Sequence, residues 1–183
     1  MSVAGDLSRA IANTDFFTAL RESALVYPVV MSLHLASIAV FGGLILMTDL
    51  RILGIAMRSV SIADIVRQTL PWKRLGFVIM VTCGVLLAGA KLDTYYDNPY
   101  FQTKLILLAL VAVHAIYFHG RVYGKPEELD RAPAMPPMAK TAATLSLVLW
   151  LGIMSMGRLI AYYERPGQYP HAPKSAAEAV PQK

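Results

Sequence analysis

A chain of 183 residues that is 56% hydrophobic and only 16% charged, with a mean hydropathy of +0.49, has more apolar side chain than a water-soluble domain of this length can bury. Its formal charge of +5 fits basic loops beside anionic lipid. No basic helix interleaved with aromatics points to nucleic acid. Cys83 is the only cysteine, which excludes an internal disulfide, a thiolate cluster and a zinc ribbon, and no Walker loop, GxGxxG or HExxH pattern is present.

In chain order, residues 1–22 lack the basic start, short apolar core and small-residue cleavage site of a removable signal peptide. Leu7, Ile11, Phe17 and Leu20 recur at helical spacing opposite Arg9 and Asn13, predicting a short amphipathic helix lying in the membrane interface. A frayed polar tail is the alternative. Four stretches then have the length and apolarity to cross a bilayer as helix: 23–48, 75–92, 99–120 and 141–162. Residues 61–70 repeat the amphipathic pattern between the first two, with Ser61 as N-cap and Pro71 closing a helix that rests on the membrane surface. Asn98 caps the third span and Pro99 fits its first turn, where the missing N–H costs nothing. Asp49 and Arg51 close the first span as a mutually neutralising pair, or with Asp49 as a proton relay. Backbone groups in lipid must pair internally, and no alternating strand pattern suggests a barrel. The expected fold is all-α: an integral membrane four-helix bundle over 23–163, preceded by the interfacial helix 1–22 and followed by a disordered tail, 164–183, that carries His171.

Basic residues set the orientation. Arg51, Arg58, Arg67, Lys73 and Arg74 lie between spans one and two, and Arg121, Lys125, Arg131 and Lys140 between three and four, against Lys91 alone in the 91–98 connection. The richer loops should face the cytoplasm, with both termini outside, which in the inner membrane of a Gram-negative bacterium is the periplasm. Trp72, Tyr95, Tyr96, Tyr162 and Tyr163 stand where interfacial aromatics belong, while glycines in spans two and four can seat helices within one chain or in a homo-oligomer.

His34 and His114 each stand in a long apolar run, and an ionisable group at bilayer depth implies a partner, a cofactor or a water path. With about 1.5 Å rise per residue, His34 lies roughly 15 Å below the outer end of span one and His114 roughly 20 Å below the start of span three, at similar depth on parallel helices. Two such imidazoles suit the axial ligands of a haem b held in a bundle core. Gly42 and Gly43 make room near His34 and hydroxyls such as that of Ser37 supply hydrogen bonds around the cofactor. Lys104 and Arg158 lie toward the outer side, placed to meet propionates or else to snorkel to the interface. His119, about 140° round the helix from His114, is the alternative second ligand. Without a cofactor, the histidines would only join helices by hydrogen bonds.

The residues His34, Gly42-Gly43-Leu44, Thr48-Asp49-Leu50-Arg51, Pro71-Trp72, Gly76-Phe77, Tyr95-Tyr96, Asn98-Pro99, Phe101 and Lys104 resemble a family of bacterial four-span membrane proteins catalogued as a domain of unknown function. More distantly, a histidine early in span one, a Leu-Arg exit and a lysine opening a later span are similar to HemJ-type protoporphyrinogen oxidases and the membrane domain of CopD copper-resistance proteins. That resemblance implies haem b or a related porphyrin near His34 and Lys104. The uncharacterised family's usual span-three histidine corresponds to His119. Three functions are therefore expected in competition: a haem protein passing electrons between the quinone pool and a partner protein, a HemJ-like porphyrinogen oxidase, and a cofactor-free scaffold or small transporter.

Overall fold

Residues 3–163 are described in a computed structural model of the chain; the tail expected at 164–183, with His171, lies outside them. Each of the four apolar stretches is a helix long enough to span a bilayer, and three of them begin where a side chain accepts from an otherwise unpaired amide. Helix α3 (Val26–Ile52) opens with the Ser23 hydroxyl accepting from the Val26 amide at 2.9 Å. It closes in a Schellman turn: Ile55 N–H donates to Leu50 O at 2.9 Å and Gly54 N–H to Arg51 O at 3.0 Å, with Gly54 at φ +71°, the left-handed region glycine enters most readily.

Helix α4 (Ile62–Ala90) begins at Ser61, whose Oγ accepts from the Asp64 amide. It does not stop at Pro71. The expected surface helix and the second span are one 29-residue helix with the proline inside. Proline removes only one amide donor, and in a membrane protein the carbonyl it frees can be satisfied locally. Charges counted as loop residues, Lys73 among them, are thereby carried into the bundle.

Helix α6 (Pro99–Phe118) starts as the Asn98-Pro99 pair predicts, Asn98 Oδ1 accepting from Tyr100 N at 3.0 Å and Phe101 N at 3.3 Å. It runs into a π-helical turn, His119–Tyr123, then α7 (Pro126–Arg131). Helix α8 (Pro137–Leu159) completes the bundle and ends in a 3-10 turn, Ile160–Tyr162.

At the opposite end from the basic loops, the single amphipathic helix expected over 1–22 is two helices, α1 (Val3–Ala12) and α2 (Asp15–Glu22). They are clipped to the end of α4. Arg21 Nη1 donates to Ala12 O at 3.2 Å and to Ala90 O at 3.1 Å, and Phe17 fills the space a side chain on Gly89 would take. The short α5 (Leu92–Tyr95) packs against α1.

Between apolar helices in lipid there is little hydrophobic gain, so close approach of small residues and polar contacts hold the bundle. Helix α3 packs along α4 and against α8, and α8 packs along α6, but α4 and α6 form no extended interface. Gly76 lies against Phe41, and Gly152 against Leu107. Phe41 in turn meets Phe77 at 5.6 Å and Trp150 at 5.4 Å between ring centroids, joining α3, α4 and α8. The main buried apolar cluster sits at the basic end, where Ile52, Ile62, Phe118 and Val122 close over Ala139 and Ala142. Elsewhere the spans turn apolar side chains outward, Val85, Ile106, Ile116 and Leu151 among them, as lipid-facing helices do. The fold is an all-α four-helix membrane bundle.

Candidate functional site

His34 projects from α3 toward α4. Its Nδ1 lies 2.9 Å from Met80 O, and because a carbonyl only accepts, Nδ1 carries the hydrogen and the neutral ring keeps its lone pair on Nε2. Gly84 permits the approach: a Cβ there would stand 3.0 Å from His34 Cε1. Ser37 is buried but its hydroxyl is spent on its own helix, donating to His34 O at 2.8 Å.

Lys104, half-buried on α6, is the charged side chain whose field reaches His34. Among the described residues it has no hydrogen-bond or ion-pair partner, and its ammonium nitrogen would lie 3.5 Å from a Cβ at Gly157, so α8 approaches it through a glycine. Arg158, the next residue of α8, is exposed and turns to Tyr162, donating from Nη2 to the phenol oxygen at 2.6 Å. Nearby at the same end, Lys91 Nζ lies 5.0 Å from the Tyr27 ring centroid, and the buried Tyr27 hydroxyl has no hydrogen-bond partner among the described residues. Tyr95 in α5, outside the spans, has its phenol held above the ordinary value by burial and then by Tyr27.

His114 belongs to a different neighbourhood. It is buried, its Nε2–H donates to Ala142 O of α8 at 3.0 Å, and its ring lies 4.9 Å from Phe118 and 6.3 Å from Tyr123. The lone pair left to it is on Nδ1. Among the described residues no ring contact joins His34 to His114. One is committed to α4 and the other to α8. His119 is exposed at the start of the π-helical turn.

The second polar centre was not foreseen as a whole. Asp49 is 1% exposed, and its partner is not Arg51, whose Nε turns away to donate to Val60 O at 2.6 Å. Instead Tyr123 donates its hydroxyl to Asp49 Oδ1 at 3.0 Å. Ser146 of α8 faces both groups, and Lys73 of α4 donates to Thr48 Oγ1 at 2.7 Å. Asp49 standing in an apolar helix was the available signal, but neither Lys73, placed beyond a proline, nor Tyr123, placed beyond the third span, could be matched to it by spacing. No group of three or more His, Cys, Asp or Glu side chains suited to a metal ion occurs among the described residues.

These features define a multi-pass α-helical membrane protein with two separate polar centres inside the bundle, four of its helices being long and apolar enough to cross a bilayer. The chain belongs to DUF6644, a family of unknown function, whose model matches residues 11–163. Searches of curated proteins and of solved structures returned no match. Nothing in these comparisons links the chain to HemJ-type or CopD proteins.

Proposed function

We propose that the protein binds haem b in the membrane and passes electrons between a quinone and a partner protein, with His34 as an axial ligand through Nε2 and Lys104 facing a propionate. The observation that carries this reading is the His34 ring. An imidazole that ligates a metal usually donates its other N–H to a carbonyl or carboxylate, which fixes the ring and raises its basicity, and His34 does this toward Met80 O. Lys104 of α6, a cation with no anion partner among the described residues, is near enough for its charge to act on His34, as a haem carboxylate requires. The donor set thus fits one end of a haem. Haem would supply a one-electron couple, while the chain's own residues set ring orientation, charge compensation and exclusion of water.

The second axial position separates the candidates. His114 can reach it through Nε2 only by releasing Ala142 O, whereas His34 has nothing to release. Arg158 would leave Tyr162 to reach a propionate. In this reading the basic loops face the cytoplasm of a bacterial inner membrane and both termini the periplasm.

Visible spectra of the detergent-purified chain, oxidised and dithionite-reduced, test the proposal. Sharp reduced α and Soret bands that vanish in His34→Ala are expected, with His114→Ala and His119→Ala naming the other ligand. A featureless spectrum from cells supplied with haem precursor would overturn it and leave the scaffold or transporter. The charge of Lys104 acting on His34, with no ring contact between His34 and His114 among the described residues, also favours a second reading, oxidation of a porphyrinogen bound near His34 and Lys104. Lys104→Gln with haem retained and porphyrinogen oxidation lost would select that reading over electron transfer.

A further inference from the structure

A buried carboxyl in a membrane bundle must be neutralised by a counter-ion, a metal or a proton, because an uncompensated charge there is expensive. Asp49 is 1% exposed, yet among the described residues no cation closes an ion pair with it. Lys73, the cation facing it from α4, places its ammonium on Thr48 Oγ1 instead. From the π-helical turn, Tyr123 donates one hydrogen bond to Oδ1; from α8, Ser146 faces the carboxyl and the phenol. On its own helix Arg51 turns outward to Val60 O, and from α6 His114 stands behind Tyr123 with its N–H given to Ala142 O. Among the described residues, Asp49 Oδ2 is left buried with no hydrogen-bond partner.

The local backbone is shaped around this contact. The segment that carries Tyr123 is a π-helical turn, a departure from α geometry that recurs at functional sites and that rotates the residues after it relative to an uninterrupted helix. Gly124 closes the turn by donating to His119 O at 2.6 Å. A Cβ on Gly124 would lie 2.7 Å from that same oxygen, so the turn as built requires glycine there.

We infer that Asp49 is a reversible proton-binding site within the bundle at its basic end, with Tyr123 orienting the carboxyl and Lys73 and Ser146 completing its polar surroundings. The proton adds to a carboxylate oxygen, giving the neutral acid, and its loss restores the carboxylate. Oδ2, which accepts no hydrogen bond from the described residues although the Ser146 hydroxyl lies near the carboxyl, is the oxygen available to the proton. Such a site lets a membrane reaction that consumes or releases protons exchange them at the end where Lys73 is half-buried. The inference is independent of whether His34 holds a haem.

Infrared difference spectra of the full-length chain in lipid nanodiscs, recorded between acidic and alkaline buffer, test it. In the wild type a carboxylic-acid C=O band should appear on acidification and disappear on return. Asp49→Asn should abolish that band, and Tyr123→Phe, which removes the hydrogen bond and keeps the ring, should move it to higher frequency. Difference spectra that are the same in wild type and Asp49→Asn, or a wild type without any pH-responsive carboxylic band, would overturn the site. Should Asp49→Asn fail to fold, Tyr123→Phe decides alone: a displaced band supports the assignment and an unmoved one removes it.

Discussion

At the scale of single residues, the two histidines have similar surroundings in sequence and different ones in space. Gly84 lets His34 lie against α4, so Gly84→Ala, which would bring a methyl to 3.0 Å from Cε1, should turn the ring and weaken whatever binds at Nε2 while leaving the helices intact. Gly43→Ala, with nothing within 4 Å of the added carbon, should have no such effect; circular dichroism and absorbance of the two variants side by side check this. His114 is held by one interhelical hydrogen bond, which in membrane proteins contributes about 0.6 kcal/mol on average. His114→Ala should therefore lower thermal stability in detergent only slightly, beyond the packing lost against Phe118. His34 and Lys104 were legible because little else in their apolar runs carries charge. The Asp49 centre was half legible. Its acid stands out, but the expected pairing with Arg51 followed nearness in sequence, and Arg51 instead secures the loop at Val60 O.

At the scale of elements, the helix ends are where sequence chemistry and structure agree best. Asn98-Pro99 and Ser61 start helices as their side chains dictate, because capping is a local bond between a residue and the amides just after it. Pro71 misled, because a proline read in isolation ends a helix, whereas here the 29-residue α4 continues through it. Gly54→Ala should cost about 1 kcal/mol, the price of a left-handed conformation for a residue with a Cβ, since the site is otherwise open; thermal melts of the variant check it. The start of α4 is also gripped from the other basic loop. Asp130, in the last turn of α7, accepts from Ser61 Oγ at 2.7 Å, Ile62 N at 2.8 Å and Ala63 N at 2.9 Å. Its slight burial raises the carboxyl's proton affinity, but the bonds from Ala63, Ile62 and Ser61, with the charge of Arg51, outweigh it and hold the group below its ordinary value. The contribution is therefore whole above the ordinary Asp value of about 3.9 and is lost as pH falls through the lower, folded value. Asp130→Ala should cost about 1 kcal/mol, as removal of a cap does, speed hydrogen exchange at Ile62 and Ala63 near neutral pH, and make little difference once the wild-type carboxyl is protonated.

At the scale of the whole molecule, four hydrophobic runs announce four spans, and the packing among them does not follow from hydropathy. Helix α3 is apolar on every side, with only 6% of its most apolar window buried, so no stripe marks which face meets a neighbour. The charge bias does make a prediction. With Cys83→Ala removing the native thiol, cysteines placed at Glu128 and at Thr94 should react with an impermeant maleimide from opposite sides of sealed vesicles, Glu128 from the cytoplasmic side. Labelling of both from one side would contradict the four-span topology, and reversed sides would contradict the orientation.

The absence of a packed interface between α4 and α6 has a consequence for supply. His34 leans on α4 and Lys104 rises from α6, so on the proposed reading a haem or porphyrinogen meeting both would arrive sideways, out of the hydrocarbon, without crossing an aqueous vestibule. Occupancy would then follow the molecule's abundance among the acyl chains, and two compounds of equal intrinsic affinity would be ranked by how well each dissolves in lipid.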